Sequence, residues 1–242
     1  MIKVSLITVC FNSVQTIRQT FDSVLKQSYF NIEYLVIDGQ STDGTVDIIK
    51  EYEPLFGGRM RWISEKDEGI YDAMNKGIRM ASGELIGIIN SDDYYEEHAV
   101  EIMVSAMTED KYQILYGALR CLKDGKEESV SLLSHEFLKA RMIHHPACFV
   151  TKSVYEDFGV YNTKYVSAAD YDFMLRMYEN QEVKFHPVRH VIANFRTGGM
   201  CSSDAAYLDL VQLQYDWKLI SAYQYRKIML ISKLNHLFRR EK

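Results

Sequence analysis

The first hundred residues alternate between short apolar runs and stretches in which apolar side chains recur with a helical period. The apolar runs predict four buried strands, at residues 4–9, 34–37, 61–63 and 85–89. The periodic stretches predict amphipathic helices, at residues 14–25, 42–49 and 70–81. Strands that alternate with helices of this length favour right-handed βαβ units. We therefore predict an α/β fold with a mostly parallel central sheet flanked by helices.

The second half of the chain has a less regular pattern. Apolar runs at 114–122 and 130–133 flank a polar tetrapeptide and predict a hairpin. The remaining pattern predicts a helix at 168–178, one or two strands at 183–195 and a helical stretch from 204 onward. Because no proline-rich or low-complexity linker interrupts the chain, we predict one domain over residues 1–203, followed by an extension over residues 204–242.

Composition narrows the class of protein. Hydrophobic residues make up 47% and charged residues 25% of the 242 residues, which is typical of a globular domain and excludes a disordered or collagenous chain. A net charge of −5 argues against nucleic acid as a partner. The four cysteines form no Cys-x-x-Cys pair. With no signal-like start and no apolar run of roughly 20 residues, we expect a reduced, cytoplasmic protein.

Polar residues gather where the four predicted strands end. These clusters lie at residues 10–13, 38–39, 65–69 and 90–93. The carboxyl ends of strands line the ligand crevice of an open parallel sheet, so four polar ends in succession favour a binding site. The alternative is that Asp, Asn, Gly and Ser simply form turns.

The most informative cluster is Asn90-Ser-Asp-Asp93, which follows a strand without charge of its own. The adjacent carboxylates Asp92 and Asp93 repel each other unless a cation lies beside them. A hard divalent ion with oxygen ligands, itself bridging a diphosphate, meets that need. The alternative is a helix N-cap, a role that suits Asp93 better than Asp92. Asp92 is therefore the predicted metal ligand.

These motifs together resemble the family 2 glycosyltransferases of bacterial polysaccharide synthesis, which have the GT-A fold. The resemblance rests on residues 4–29, 38–43, 67–77, 81–84 and 90–93. It implies an inverting transferase that uses a nucleotide-diphosphate sugar, Mg²⁺ or Mn²⁺, and a glycan or lipid-linked acceptor. It also implies that residues 1–110 form the nucleotide-sugar-binding half and residues 111–203 the acceptor half.

The resemblance assigns donor-side roles residue by residue. It implies that the nucleoside is held by Thr8, Val9, Phe11 and Asp38, and that the motif at Asn90, Ser91 and Asp92 belongs to the donor side. Asp67, Lys76 and Arg196 are predicted to complete the donor side. Two positions depart from the family pattern. Asn90 replaces the first Asp of the usual Asp-x-Asp motif, and Met74 replaces an arginine that faces the donor in many relatives.

Three donor-side positions have alternatives. Lys76 or Lys66 could supply the charge lost at Met74, although Lys76 also fits an ordinary solvated helix position. Arg196 begins a Gly-rich loop that can fold over a diphosphate, and a plain turn is the alternative. Asp43 is interpreted as a helix cap.

The acceptor half holds the candidate base. Residues 167–176 resemble the family segment that ends in Glu-Asp, with Ala169 where Glu is common, and Asp170 matches the catalytic base. Asp172, two positions on, cannot share its helix face and is predicted to pair with Arg176 at i,i+4. His145 is placed near the acceptor, and a turn before Pro146 is its alternative.

The last 25 residues carry seven Lys/Arg and one Glu, a net charge of +6, against −11 for the first 217 residues. An apolar helical stripe of Leu and Ile runs beside these cations from Leu230 to Phe238. A basic amphipathic helix can lie on an anionic membrane, so we expect peripheral binding to the inner face of the membrane. The alternative is a helix that packs on the domain or on a second subunit.

Two other classes of protein compete with a glycosyltransferase. A nucleotidyltransferase that makes sugar nucleotides would need a Gly-rich, Arg-containing phosphate loop after the first strand, where this chain has Cys10-Phe-Asn-Ser13. A non-catalytic sugar-nucleotide-binding subunit would not need Asp92 and Asp170.

Overall fold

The computed structural model describes residues 1–197 and 203–240, with side chains described up to residue 233. The strands are β1 Val4–Cys10, β2 Ile32–Asp38, β3 Met60–Ser64, β4 Leu85–Ile88, β5 Tyr94–Tyr95, β6 Gln113–Lys123, β7 Lys126–Ser131, β8 Cys148–Thr151 and β9 Lys184–Arg196. The helices are α1 Ile17–Leu25, α2 Thr45–Tyr52, α3 Ile70–Met80, α4 Ala99–Ser105, α5 Lys152–Phe158, α6 Ala169–Glu179, α7 Asp204–Asp216 and α8 Ala222–Arg240.

The described strands form one sheet in the order β3-β2-β1-β4-β8-β6-β9-β5, with β7 paired to β6. The β3-β2-β1-β4 block is parallel, β8 runs antiparallel between β4 and β6, and β6 and β9 are parallel. The predicted α/β fold is therefore confirmed, as is the hairpin, which β6 and β7 form. The region predicted to hold one or two strands is the single strand β9.

Both faces of the parallel block are buried, which explains why its strands appear as continuous apolar runs. Leu6 of β1 belongs to the core beneath α1 and α2, whereas Ile7, one position on, belongs to the core beneath α3 and α6. This alternation follows from the two-residue period of a strand. It gives the sheet a helical layer on each side and leaves only its edges and strand ends for chemistry.

Helix α3 packs unusually close to the sheet at Gly77. A Cβ at this position would lie 2.5 Å from Cγ2 of Ile7, which is fully buried in β1. Any larger side chain would push the helix away from the strand. Gly77 therefore fixes the position of α3 and of the side chains near its amino-terminal end.

The buried carboxylate of Glu33 ties three segments together at the amino ends of the parallel strands. It accepts hydrogen bonds from the Ser5 hydroxyl, from the backbone N–H and hydroxyl of Ser82 and from the Gly83 N–H, and it pairs with Lys3 and Arg61. Burial by itself would raise the pKa of Glu33, but these bonds outweigh burial and lower it to about 2.

This lowered pKa makes stability depend on pH. Because the folded-state pKa lies below the ordinary value, the stabilisation is fully present above about pH 5 and is lost as the pH falls towards 2. At pH 7, Glu33→Gln should lower the free energy of unfolding by about 2–3 kcal/mol, and the difference from wild type should shrink as the pH falls. Urea unfolding from pH 7 to pH 3 measures this, with Glu109→Gln at an exposed carboxylate as the control. A difference that is constant with pH would contradict the assignment.

Candidate active site

The ends of β1, β2 and β4 lie side by side and bring their polar residues together. Cys10 and Asp38 are register partners, and the Gly39 N–H donates to the Cys10 carbonyl over 2.8 Å. The Ser13 and Ser91 hydroxyls are 2.7 Å apart and join the turn after β1 to the turn after β4. The polar strand ends that the sequence marks therefore form one continuous edge.

Asp38 shapes this edge from inside the protein. Its side chain is fully buried and accepts hydrogen bonds from the Ser41 N–H and hydroxyl, at 3.0 and 2.5 Å, and from the Ser64 hydroxyl at 2.6 Å. These bonds fix the turn after β2 against the end of β3. In this arrangement Asp38 organises the backbone around the site, while its carboxylate is enclosed by protein donors.

Phe11 and Asp67 form a wall on either side of Gly39. A Cβ at Gly39 would lie 3.1 Å from the Asp67 Oδ2 and 3.4 Å from the Phe11 ring, and Phe11 is 64% exposed. An exposed aromatic ring beside a glycine backbone offers a flat surface on which a planar base can stack. Phe11 and Asp67, both of them predicted donor-side residues, thus lie on either side of Gly39.

Lys76 holds the segment that carries Asp67. Its ammonium group lies 2.7 Å from Asp67, 2.8 Å from Glu65 and 3.4 Å from Asp72, and it also donates to the Lys66 carbonyl. Burial by itself would lower the pKa of Lys76, but its bonds to these carboxylates outweigh burial and raise the pKa, so Lys76 stays charged. Because its charge is neutralised by three acids, Lys76 fixes the loop after β3 in this structure.

Oxygen atoms without donors gather in the turn after β4. The Asn90 Oδ1 and the Asp93 Oδ2 are buried and have no hydrogen-bond partner among the described residues. The carboxylate of Asp92, which is half-buried, receives no bond from the described part of the chain. Burial raises the pKa of Asp93 well above its ordinary value, and the neighbouring Asp92 charge adds to this effect. Asp93 does not cap a helix, because the next helix, α4, begins after His98.

Arg196 reaches this turn from the end of β9. Its backbone N–H donates to Asp93 over 3.2 Å, and its guanidinium donates to the Asp92 carbonyl and to Gln19 and lies 5.7 Å from the ring centroid of Tyr94. Arg196, a predicted donor-side residue that is far from this turn in sequence, therefore lies against the acidic turn after β4. Residues 198–202 of the predicted Gly-rich loop lie outside the described residues.

The oxygen set of this turn suits a hard divalent cation. Within residues 1–197 and 203–233, whose side chains are described, no group of three or more His, Cys, Asp or Glu side chains could hold a metal by itself. Mg²⁺ and similar ions are commonly bound by one or two carboxylates, with substrate phosphates and water supplying the other ligands. Asp92, with its unbonded carboxylate, is the residue best placed for that arrangement.

Asp170 lies in the first turn of α6 with one oxygen held and the other open. Its Oδ1 accepts hydrogen bonds from the Tyr71 hydroxyl at 2.7 Å and from the Tyr171 N–H at 2.9 Å. No described residue donates to its Oδ2. A half-buried carboxylate with one oriented, unbonded oxygen has the arrangement required of a general base.

His145 lies near Asp170 in a buried 3-10 turn at His145–Ala147. Its Nε2 is 3.2 Å from the Tyr161 hydroxyl, and the ring is only 8% exposed. Burial lowers the pKa of His145, although the Asp170 charge opposes that shift. His145 is therefore a neutral side chain within the buried layer beside the candidate base.

Three other predicted residues occupy structural positions. The Thr8 hydroxyl is fully buried and accepts from the Tyr34 hydroxyl over 2.8 Å, and Val9 packs in the core beneath α3. Both side chains are therefore enclosed in the core. Asp172 pairs with Arg176 at 3.0 Å, which confirms the predicted i,i+4 contact, and it also accepts from the Trp217 indole N–H.

Sequence patterns missed several residues of the site. Tyr71, Asn75 and Gln19 lie on helices. The hydrophobic period of a helix distinguishes core positions from surface positions but does not predict which residues contact a site. Their partners are 86 to 177 positions away in the chain, and only the fold reveals these contacts. A tyrosine at the start of a helix that follows an acidic loop is the one signal that could have pointed to Tyr71.

The sheet order and the strand-end site define a GT-A fold, and comparison with known proteins gives the family. A family model described as Glycosyl transferase family 2 matches residues 5–181. The chain belongs to glycosyl transferase family 2. A PGL/p-HBAD biosynthesis glycosyltransferase of Mycobacterium bovis is 27% identical over 201 residues, which cover 82% of this chain and 78% of that relative.

Two solved structures share the fold. Staphylococcus aureus TarS 1–349 in complex with UDP-GlcNAc superimposes with a TM-score of 0.72 at 18% identity, covering 87% of this chain and 65% of that one. The mannosyltransferase PcManGT of Pyrobaculum calidifontis in complex with GDP-Man and Mn²⁺ gives a TM-score of 0.64 at 19% identity, covering 87% of this chain and 61% of that one. The chain thus spans less than two thirds of each solved relative.

The carboxyl-terminal helices differ in how they contact the domain. Helix α7 is bonded to it through Asp209 and Asp216, which accept from Ser167, Lys164 and Tyr165. Helix α8 leaves Leu230 60% and Ile231 47% exposed, whereas the side chains of Leu234, Leu237 and Phe238 lie outside the described set. None of the helices in the described segments is both long enough and apolar enough to cross a bilayer.

Proposed function

We propose that this chain is an inverting glycosyltransferase that moves a sugar from a nucleoside-diphosphate donor to a hydroxyl of a glycan or lipid-linked acceptor. The observation that carries the proposal is Asp170, whose Oδ1 is fixed by two hydrogen bonds while its Oδ2 accepts none from the described residues. The relatives' roles in glycan synthesis and their sugar-nucleotide complexes support the same class of reaction.

The proposed chemistry is one displacement at the anomeric carbon. Asp170 takes the proton from the acceptor hydroxyl while the acceptor oxygen forms its bond to that carbon. The bond from the carbon to the diphosphate breaks on the opposite side, which inverts the configuration. Because the displacement is direct, no covalent sugar–enzyme intermediate forms, and the chain needs only one base on the acceptor side.

The donor is proposed to bind along the edge formed by the ends of β1, β2 and β4. Phe11, beside Gly39 and Asp67, offers the stacking surface for the base, and the turn at residues 90–93 faces the diphosphate. Asp92 would hold Mg²⁺ or Mn²⁺, which when bound neutralises the charge of the leaving diphosphate. The Mn²⁺ and GDP-Man complex of the archaeal relative supports this assignment.

The protein is further proposed to be cytoplasmic and to bind the inner face of the membrane through α8. Arg226, Lys227 and Lys233 accompany the exposed Leu230 and Ile231 on this helix. An apolar stripe with flanking cations matches the interfacial helices of peripheral membrane proteins. A lipid-linked acceptor in cell-surface polysaccharide synthesis would then be presented at the same surface.

Replacing the base should abolish transfer without unfolding the protein. Asp170→Asn keeps the shape of the side chain and should lower turnover by about 10²–10⁴-fold while the melting temperature and donor affinity stay near wild type. Release of UDP from UDP-GlcNAc and of GDP from GDP-mannose measures turnover even without acceptor.

Asp172→Asn is the matched control, because it changes the same residue type two positions away. It should cost stability through its bonds to Arg176 and Trp217 and leave most of the turnover. The opposite behaviour of the two variants would exchange their roles. A wild-type protein that binds both nucleotide sugars but turns over neither would identify a binding subunit instead of an enzyme.

Donor binding should require a divalent ion through Asp92. In wild type, UDP or GDP should raise the melting temperature only when Mn²⁺ is present, and Asp92→Ala should lose this rise while the apo protein stays folded. Thermal melts with Mn²⁺ and with EDTA measure the effect. Glu109→Ala, an exposed carboxylate ahead of β6, should behave like wild type. Equal stabilisation of Asp92→Ala and wild type would rule out this metal site.

Helix α8 should retain the protein on anionic membranes. Each basic residue near such a surface contributes about 1 kcal/mol, so the double reversal Arg226→Glu and Lys227→Glu should weaken binding strongly. Co-sedimentation with phosphatidylglycerol-containing vesicles and with pure phosphatidylcholine vesicles, at low and high salt, measures this. The control reverses Lys26 and Lys50, which are exposed on the body of the domain. If neither vesicle retains the wild-type chain, α8 is a packing element.

A further inference from the structure

We infer that Tyr71 is a positioning residue for Asp170: its hydroxyl fixes one carboxylate oxygen so that the other faces the acceptor. This inference rests on the proposed function, in which Asp170 is the general base. It adds a residue from the donor half of the chain to the acceptor-side chemistry.

The contact joins two helices that are far apart in sequence. Tyr71 is the second residue of α3, and its hydroxyl donates to Oδ1 of Asp170, 99 positions later, over 2.7 Å. The Tyr171 N–H donates to the same oxygen over 2.9 Å. Two donors on one oxygen define the plane and the rotation of the carboxylate. Because both bonds fall on Oδ1, Oδ2 keeps its lone pairs for a proton.

Tyr71 is itself held on several sides. Asn75, one helical turn on, exchanges two hydrogen bonds with the backbone of Tyr161, at 2.9 and 3.0 Å. The rings of Tyr71 and Tyr161 pack with their centroids 5.5 Å apart. Gly77 fixes the same helix against Ile7 of the sheet. The hydroxyl is therefore preorganised and needs little rearrangement when an acceptor arrives.

The surroundings of Asp170 make this hydrogen bond important. Among the described residues, the titratable groups that face the carboxylate are Tyr71 from α3, His145 from its 3-10 turn, Cys148 from β8 and Tyr161. Burial lowers the pKa of His145 and raises the pKa values of Cys148 and Tyr161, so these three groups are uncharged near neutral pH. None of them supplies a positive charge, so the two hydrogen bonds to Oδ1 are the polar contacts that orient this carboxylate.

Helix α3 also carries the donor-side loop. Asp72, next to Tyr71, accepts from the Glu68 N–H over 3.1 Å, and Lys76 holds Asp67 against the same loop. Tyr71 thus connects the wall of the donor site to the base. The position of the base depends on the helix that orders the donor loop, which places donor and acceptor chemistry in one rigid frame.

Tyr71→Phe in the full chain tests the inference, because it removes only the hydroxyl. Titration of Asp170 by ¹³C NMR, with labelled aspartate and with Asp170→Asn for assignment, gives a readout that does not depend on turnover. The pH dependence of the Asp170 signal should move to higher pH in Tyr71→Phe, because the ionised form loses a hydrogen-bond donor.

Turnover supplies a second readout. The acidic limb of kcat/KM for release of UDP from UDP-GlcNAc or GDP from GDP-mannose should move up by the same amount. We expect kcat at the optimum to fall about tenfold, with KM for the donor unchanged.

Tyr155→Phe is the matched control, because it removes one hydroxyl from the same aromatic cluster. The Tyr155 hydroxyl pairs with Tyr161 and not with Asp170. It should leave the Asp170 titration and the pH profile at their wild-type values. An unchanged Asp170 titration in Tyr71→Phe would overturn the inference, as would an equal shift in Tyr155→Phe.

The Asp170→Asn variant separates this failure from failure of the proposed function. If Asp170→Asn keeps wild-type turnover, the base assignment itself is wrong and the inference falls with it. If Asp170→Asn abolishes turnover while Tyr71→Phe shifts neither titration nor pH profile, only the inference fails.

Discussion

The parallel register of β2, β1 and β4 is the constraint on which the rest of this structure depends. Cys10 and Asp38, the last residues of β1 and β2, lie opposite each other. Ile88, the last residue of β4, lies opposite Ile7, so the turn after β4 runs beside the end of β1. Polar turns that are 28 to 80 positions apart in the chain therefore meet at one edge. The register is held because both faces of these strands are buried, and a slip of one residue would turn every apolar side chain to the wrong layer.

The same edge collects negative charge, and the structure manages each carboxylate differently. Asp38 is satisfied by serine hydroxyls, Asp67 is paired with Lys76, and Asp93 is buried with its pKa raised. Asp92 alone among these four lacks a donor or cation at its carboxylate within the described residues. Among the described residues, Asp92 is thus the carboxylate of this edge at which a bound cation would balance the charge.

Helix α6, in the second half of the domain, uses a different principle, because it holds two carboxylates in unlike surroundings. Asp172 turns inward and is bonded to Arg176 and Trp217, which joins α6 to the end of α7. A helix turns by about 100° per residue, so Asp170 lies about 200° around the helix from Asp172. Its carboxylate accepts a hydrogen bond from Tyr71 instead. Because the two residues are two positions apart, Asp172 is a structural carboxylate, whereas Asp170 keeps one oxygen without a donor among the described residues.

The sequence by itself determined the parallel block, the polar strand ends and the pairing of Asp172 with Arg176, because these depend on local period and short spacing. It also singled out Asp92 as a candidate metal ligand from the polar strand end and, through the family resemblance, Asp170 as a candidate base. The short strands β5 and β8 could not be predicted, because a few apolar residues have no distinctive period. The contacts of Tyr71 with Asp170, of Ser13 with Ser91 and of Arg196 with the acidic turn were decided by the tertiary structure alone. Such contacts arise from the order of strands in the sheet and from the packing of helices. Neither can be predicted from the spacing of residues along the chain.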